Sequence, residues 1–437
     1  MGQFQGALPA AARWDRAETP SLDTVRLIGL VAGAAHLLRD AFAAPVRWWL
    51  DLGGLGLAWF AVDLIGVVAL AAFAWEFGLR RRAPFALYAL ALLPISLFIA
   101  AATVGPAPAF LGAAFKMFVP IYAGWLLAGV DLPALSRMRR LLVMVCLLTI
   151  AGVVIDQFVT YPWSGLAIEQ FGQEKTVDRV WWIQSVTRFG GFSGESTTAA
   201  MIALLTLLLV HRKLSPTAAI ALGLGVIATC WIATSRTALV VSIMATVFIA
   251  VQAYFLAPLR TREAHRVLAV GSFLLVLVPL VMVVAASSIR FEEISPNLAS
   301  FQQRVRESWQ FPFVFLADRS PQSLVFGCGL GCLTFPARYS EWASLLRPID
   351  NFYLTSFAMF GLCFVPLVAG MVLAALKEQD RTKLLLIAAI NLYVLSVEAY
   401  SPAFALFVIG YATSGMHLIR LGREEAPVSR SALSMAG

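Results

Sequence analysis

The sequence predicts an all-α polytopic membrane protein with about twelve transmembrane helices and one large extracytoplasmic loop between the ninth and tenth spans. Of its 437 residues, 60% are hydrophobic and only 13% are charged, and the mean hydropathy is +0.80. A soluble domain of this size needs far more charge on its surface. Apolar runs long enough to cross about 30 Å of hydrocarbon recur along the whole chain. Residues 1–437 are therefore expected to form a single integral membrane domain.

Twelve apolar segments are the expected spans, each with ends uncertain by a few residues. The first is not followed by a small-residue cleavage site, so no removable signal peptide is expected. In chain order the segments are 25–44, 55–78, 84–104, 108–129, 140–160, 190–210, 216–233, 237–257, 266–287, 351–374, 383–398 and 402–419.

The distribution of Lys and Arg predicts which side of the membrane each connection faces. The net charge of +8 would suggest nucleic acid as the partner of a soluble protein, but here the basic residues cluster between apolar runs and indicate topology instead. With a cytoplasmic N-terminus, the short outer connections contain only Arg47 and Arg236, so both termini are expected in the cytoplasm. The inner connections and the C-terminal tail then contain sixteen basic residues: Arg80, Arg81, Arg82, Arg137, Arg139, Arg140, Arg212, Lys213, Arg260, Arg262, Arg266, Lys377, Arg381, Lys383, Arg420 and Arg423.

Two outer connections, 161–189 and 288–350, are too long to be turns. The second is expected to be the largest soluble part, with short amphipathic helices, because 301–316 alternates apolar and charged residues. Long loops in compact proteins are usually functional. The C-x-x-x-C pair Cys328 and Cys332 lies in this loop. It lacks the four ligands of a zinc site, and two packed or free thiols are preferred to a disulfide.

Arg188 is the polar residue that topology explains least. It opens the run R-F-G-G-F-S-G-E-S at the outer end of the sixth span. A single arginine there is expected to anchor a helix end, but the three glycines that follow permit close backbone approach or unusual dihedrals, which favours a functional role. Ser193 and Glu195 follow at the helix start, where Glu195 also fits capping. G-F-S-G-E breaks the nucleophile-elbow pattern, so serine hydrolysis is not expected.

Arg236 lies in the first turn of the eighth span, directly after Thr234 and Ser235. Ser235 fits an N-cap. A cation in the first turn opposes the helix dipole, whereas a bound anion would offset that cost. We therefore favour an anion-binding role for Arg236 over a structural one.

Further candidates lie around the long loop and within two spans. Arg304 and Arg306 point in different directions at helical spacing, so at most one faces a site. Asp350 and Asn351 begin the tenth span; either fits an N-cap, and Asp350 also fits a general base. Asp63 and Lys116 each lie about 12 Å below the same membrane face. Since intramembrane charges usually pair, we expect these two to pair or to line one cavity, with Asp63→Ala rescued by Lys116→Ala.

These motifs together resemble the bacterial O-antigen ligase/polymerase family, membrane glycosyltransferases of the GT-C type that act on undecaprenyl-pyrophosphate-linked sugars. The resemblance covers 188–361, with the motifs R-F-G-G-F-S, T-S-R-T-A-L, Q-Q-R-V-R-E-S-W, G-C-G-L-G and D-N-F-Y-L-T-S-F-A-M-F-G in the same order. It implies that Arg188, Arg236 and Arg304 bind the pyrophosphate. The family's ligases carry a His-Asn pair where this chain has Asp350 and Asn351, so the resemblance favours a polymerase.

The expected activity is thus an inverting, metal-independent polysaccharide polymerase of O-antigen, capsule or exopolysaccharide repeats, without a cofactor. Asp350 or Glu195 is the candidate base, with Ser193, Ser235, Asn351, Asp63 and Lys116 in support. Expected partners are the undecaprenyl-pyrophosphate-linked oligosaccharide and membrane lipid, together with chain-length regulator and export proteins, but no nucleic acid. The expected location is the inner membrane, with the site facing the periplasm. The alternatives are a ligase that transfers glycan to lipid A–core or another acceptor, and a polysaccharide flippase or transporter.

Overall fold

The computed structural model describes residues 23–170, 173–177, 182–183, 186–285, 302–345 and 349–419. The tail residues Arg420 and Arg423, which contributed to the charge count, lie outside these ranges, as do 286–301 and 346–348 of the long loop. The described chain is mostly helical. Its first helices are α1 (Thr24–Ala41), α2 (Ala43–Leu52), α3 (Gly56–Arg80), α4 (Pro84–Thr103), α5 (Pro108–Phe118), α6 (Pro120–Trp125) and α7 (Ser136–Ile155).

The second half of the chain continues the helical pattern. The helices are α8 (Ser196–Val210), α9 (Pro216–Ile232), α10 (Arg236–Tyr254), α11 (Arg262–Ala285), α12 (Phe311–Arg319), α13 (Ser323–Phe326), α14 (Phe352–Lys377), α15 (Arg381–Tyr393) and α16 (Ala403–Leu418). A π-helical stretch, Arg304–Gln310, leads directly into α12. A helix therefore lies within each of the twelve segments expected from hydropathy.

Within the ranges that the structure describes, six helices are long and apolar enough to cross a membrane, namely α3, α4, α7, α10, α11 and α14. Together α1 and α2 would make a seventh span, but the chain bends by 83° between them. These helices identify a membrane protein by length and composition. Helices α9 and α16 are apolar but shorter, and Pro120 divides the fourth expected span into α5 and α6. A proline cannot donate the backbone hydrogen bond that a continuous helix would need there.

The connection after α7 contains β-structure that the all-α prediction did not include. Strand β1 (Ala167–Gln170) pairs antiparallel with β2 (Gln173–Thr176), and β3 (Trp182–Ile183) pairs with β4 (Val186–Thr187). Polar residues alternate with apolar ones only briefly in this segment, so its composition gave no clear strand signal. The two hairpins lead the chain to Arg188.

The part of the long loop around Cys328 packs among the helices. The amide of Leu330 donates to the carbonyl of Ser96 in α4 at 3.1 Å, and that of Cys328 donates to Ala358 in α14 at 2.9 Å. Gly329 has a φ of +89°, and a Cβ atom there would lie 2.1 Å from the backbone nitrogen of Ala100. Only glycine permits this approach and this conformation. Residues 327–332, in which every second residue up to 331 is glycine, thus pack between α4 and α14, and this segment is called the wedge below.

Cys328 and Cys332 form a disulfide within this wedge, so the preference for free thiols was wrong. Their Cα atoms are 5.9 Å apart, and both residues are fully buried. Four residues of separation do not by themselves determine this distance. The turn between the two cysteines brings them within the range that a disulfide spans.

Candidate active site

The turn that carries Arg188 is fixed by glycine geometry. Helix α8 begins at Ser196, later than the span expected from residue 190, because the preceding residues form a tight turn instead of helix. Gly191 and Gly194 have φ values of +57° and +70°. A Cβ atom on Gly194 would lie 2.5 Å from the carbonyl oxygen of Val177. The glycines therefore serve the close backbone packing of this turn.

Side chains from the turn and from α7 hold the same segment in place. The amide of Gly191 donates to the Asp156 carboxylate at 2.9 Å. The hydroxyl of Ser193 lies 2.7 Å from the carbonyl oxygen of Gly190 and 2.9 Å from that of Glu195. Ser193 is buried and bonded within its own turn, so its role in the structure is to shape the turn.

Glu195 occupies the N-cap position of α8, but its side chain makes no capping bond to the backbone. Its carboxylate instead accepts a hydrogen bond from the hydroxyl of Thr198 at 3.2 Å. The expectation that Glu195 fits capping is thus met in position only. The carboxylate remains close enough to Tyr393 and Glu398 to act on both electrostatically.

Arg236 begins α10 after a three-residue connection from α9. Thr234 in this turn has a φ of +52°, and the amide of Ser235 donates to the carbonyl of Cys230 at 3.0 Å. Ser235 sits at the N-cap position, yet its hydroxyl makes no capping bond. Arg236 itself is exposed at the helix start. A helix N-terminus with an exposed guanidinium favours an anion.

Arg304 and Asp350 form an ion pair across the long loop, with 3.4 Å between Nε and a carboxylate oxygen. The side chains of Arg304 and Asp350 are 42% and 40% exposed. Arg306, two residues further on, is exposed to solvent. Burial raises the pKa of Asp350, and the positive charge of Arg304 opposes this rise.

Arg236 and Arg304 act electrostatically on Arg188, although the three arginines come from three separate segments. Burial lowers the pKa of the Arg188 guanidinium, and the positive charges of Arg236 and Arg304 lower it further. The Nε atom of Arg188 is buried and has no hydrogen-bond partner among the described residues. Like charges gathered in this way are unfavourable unless an anion compensates them. Arg236 and Arg304 are thus close enough to Arg188 to act on its guanidinium group.

Asn351 provides the N-cap of α14, a role for which the sequence allowed either Asp350 or Asn351. It is fully buried, and its side-chain oxygen accepts from the amide of Leu354 at 2.9 Å, which caps α14. Its side-chain nitrogen donates to the carbonyl of Leu395 at 2.8 Å. Because Asn351 provides the cap, Asp350 is released to face Arg304.

Glu398 is a site residue that the sequence analysis missed. Helix α15 ends at Tyr393, so Glu398 lies in the connection to α16 and not within the expected span 383–398. One of its carboxyl oxygens is buried without a hydrogen-bond partner among the described residues. Burial raises the pKa of Glu398 to about 8, and the nearby Asp350 and Glu195 carboxylates add to the rise. The sequence feature that could have revealed Glu398 is the presence of a glutamate at the end of an apolar run.

The connection that carries Glu398 is tied to the site on several sides. The amide of Phe352 donates to the carbonyl of Val394 at 3.2 Å, next to the bond from Asn351. Ser396 is hydrogen-bonded to Thr237, the residue after Arg236. The hydroxyl of Tyr400 lies 2.7 Å from that of Ser356 in α14. These bonds place Glu398 between the segments that carry Asp350 and Arg236.

A second charged cluster lies inside the helices, away from the arginine site. The Lys116 ammonium group is 3.5 Å from one Asp63 oxygen, and Arg39 is 2.5 Å from the other. Arg39 also contacts Asp40 at 3.3 Å. The pairing of Asp63 with Lys116 is confirmed, but Arg39 is the closer partner, and the sequence analysis missed it. The sequence feature that could have revealed Arg39 is its position next to an aspartate within the first apolar run.

We expect Asp63→Ala to destabilise the protein by roughly 3–5 kcal/mol, because it leaves two largely buried cations without this partner. The side chains of Arg39 and Asp63 are only 10% and 13% exposed. Thermal unfolding of the purified protein in detergent measures the loss. Lys116→Met should cost much less. The double variant Asp63→Ala/Lys116→Ala should recover only part of the stability, since Arg39 remains; full recovery would show that Lys116 is the main partner.

A cavity of about 730 Å³ lies between α3 and α5, beside this second cluster. Asp63 and Lys116 line it together with apolar residues such as Phe60, Leu64 and Val67. The expectation that the two charges share a cavity is therefore met. None of the three site arginines lines this cavity. Its walls are apolar apart from the charged pair, and it is separate from the site chemistry.

The arrangement around Arg188 suits an anion together with a proton acceptor. Three guanidinium groups offer charge-assisted hydrogen bonds to phosphate oxygens, and Asp350 lies beside one of them. Comparisons of the chain with protein-family models, with curated proteins and with solved structures give no match. The assignment of an activity therefore rests on the residues of this site.

Proposed function

We propose that the protein is a polysaccharide polymerase that transfers an undecaprenyl-pyrophosphate-linked glycan onto a lipid-linked repeat unit. The observation that carries the proposal is the grouping of Arg188, Arg236 and Arg304 beside the Asp350 carboxylate. A diphosphate diester has two negative charges and would relieve the repulsion among the three guanidinium groups. The motif order of the O-antigen ligase/polymerase family supports the same substrate class.

The reaction is a single displacement at the anomeric carbon of the donor glycan. A hydroxyl oxygen of the acceptor repeat forms a bond to that carbon, and the bond from the carbon to the diphosphate oxygen breaks. The electron pair leaves with undecaprenyl pyrophosphate, whose growing charge the arginines stabilise. The acceptor hydroxyl gives its proton to Asp350, with Glu195 as the rival base. One displacement inverts the anomeric configuration.

The proposal includes twelve crossings of the bacterial cytoplasmic membrane, both termini inside and the site facing the periplasm or exterior. The asymmetry of Lys and Arg between the two sets of connections supports this orientation. Arg188, Arg236, Arg304 and Asp350 all lie in connections or helix starts assigned to the outer side.

A flippase or transporter is the second candidate, and one observation favours it. The cluster of Arg39, Asp63 and Lys116 adjoins a cavity between α3 and α5, and charges beside a cavity are typical of a substrate path. In this cluster, however, positive and negative charges compensate one another. The positive charges of the three site arginines are not compensated in the same way. This difference favours the enzyme.

An assay of the purified protein with lipid-linked repeats separates the candidates. A polymerase lengthens the glycan on the lipid, a ligase moves it only to lipid A–core or another added acceptor, and a transporter makes no covalent change. Electrophoresis of the labelled glycan reports the three outcomes. Absence of any covalent product with intact, folded protein would contradict the polymerase proposal.

A further inference from the structure

Glu398 is a carboxyl group whose surroundings disfavour the ionised form. One oxygen is buried and has no hydrogen-bond partner among the described residues. The titratable groups that act on it are Glu195 at the start of α8 and Asp350 before α14, and Glu398 in turn acts on Tyr400. Both carboxylates repel a negative charge at Glu398. Arg304 forms its ion pair with Asp350.

We propose that Glu398 holds a proton in the resting protein and serves the anion site as a neutral hydrogen-bond donor. The inference rests on the proposed function, since it concerns the same diphosphate-binding site. The bonds from Asn351 and Phe352 to Leu395 and Val394 hold the connection against the segment of Asp350. The bond between Ser396 and Thr237 holds it against the start of α10.

A protonated Glu398 also determines the net charge that the substrate meets. Ionisation of Glu398 would add a negative charge beside Asp350 and Glu195, the two carboxylates that act on it, and would weaken the attraction of the site for an anion. A carboxyl group that stays neutral can also donate to a phosphate oxygen, whereas a carboxylate can only accept. Affinity for a diphosphate should therefore fall as Glu398 loses its proton.

Infrared spectroscopy tests the protonation directly. Wild-type protein in nanodiscs should show the carbonyl stretch of a protonated carboxyl group at neutral pH, and this band should disappear with a midpoint near pH 8. Glu398→Gln should lack the band, and Glu341→Gln, which changes an exposed glutamate, should keep it. A band that titrates in the same way in Glu398→Gln would overturn the assignment.

Binding of a soluble short-chain prenyl diphosphate sugar tests the role, because the charge of this diester stays constant across the pH range. Wild-type affinity should weaken roughly tenfold between pH 7 and pH 9.5, while Glu398→Gln should bind with little pH dependence. An equally steep profile in both proteins would refute the role of Glu398. A wild-type protein that binds no probe at any pH would instead contradict the proposed function.

Discussion

Arg188→Ala should reduce glycan polymerisation by roughly two to three orders of magnitude, because in the proposed mechanism it removes a charge that stabilises the leaving diphosphate. The positive charges of Arg236 and Arg304 both act on the Arg188 guanidinium group. Its buried Nε atom has no partner among the described residues, so truncation breaks no ion pair that the fold needs. The measurement is the rate of chain extension with purified protein and lipid-linked repeats, together with the glycan length in cells.

Arg306→Ala is the matched control for Arg188→Ala. It removes an arginine that is exposed and lies outside the site, and it should leave the rate unchanged. Arg188→Lys keeps the charge but loses the two-pronged geometry of guanidinium, so an intermediate rate is expected. Unaltered chain length in Arg188→Ala, with normal expression, would show that the arginine group does not bind the diphosphate.

Asp350→Asn should lower kcat by roughly two to four orders of magnitude if Asp350 accepts the proton of the acceptor hydroxyl. The substitution keeps the size of the side chain and a contact to Arg304, which lies 3.4 Å away. The KM for the lipid-linked donor should therefore change little. Steady-state kinetics with varied donor and acceptor separate these effects.

The pH profile gives a second test of Asp350. Burial raises the pKa of this carboxyl group, so the base becomes active only when the pH exceeds this raised value. Activity of wild-type protein should fall as the pH decreases through that pKa, and Asp350→Asn should lose this dependence. Asp318→Asn, at an exposed position in α12, is the control. If Glu195→Gln rather than Asp350→Asn lowers kcat, Glu195 is the base.

Much of the fold and part of the site follow from the sequence because they depend on local patterns. Apolar runs predicted the positions of the helices, since a helix satisfies its own backbone hydrogen bonds in lipid. Arg188, Arg236 and Arg304 stood out because each lies at the outer end of an apolar segment or in the long loop. Their grouping needed the resemblance to a family as well, since no local rule joins residues so far apart in the chain.

The errors arose where tertiary packing decided the outcome. Composition does not show that α15 ends at Tyr393, so Glu398 was assigned to a span. Hydropathy treats the loop around Cys328 as soluble because its glycines and polar residues reduce the average. In the structure the glycines allow this segment to pack against α4 and α14. Arg39 was missed because Asp63 and Lys116 already satisfied the expectation of a pair.

The disulfide between Cys328 and Cys332 has a consequence for where and when this protein can mature. Such bonds form and persist in oxidising compartments and are rare in the cytosol. In the proposed orientation, the wedge that contains it would therefore acquire its final covalent form only after it has crossed the membrane. Helices α4 and α14, which enclose the wedge, would have to admit it during or after their own insertion. Assembly of the helices around the site and oxidation outside the cytoplasm would then be steps of one maturation process.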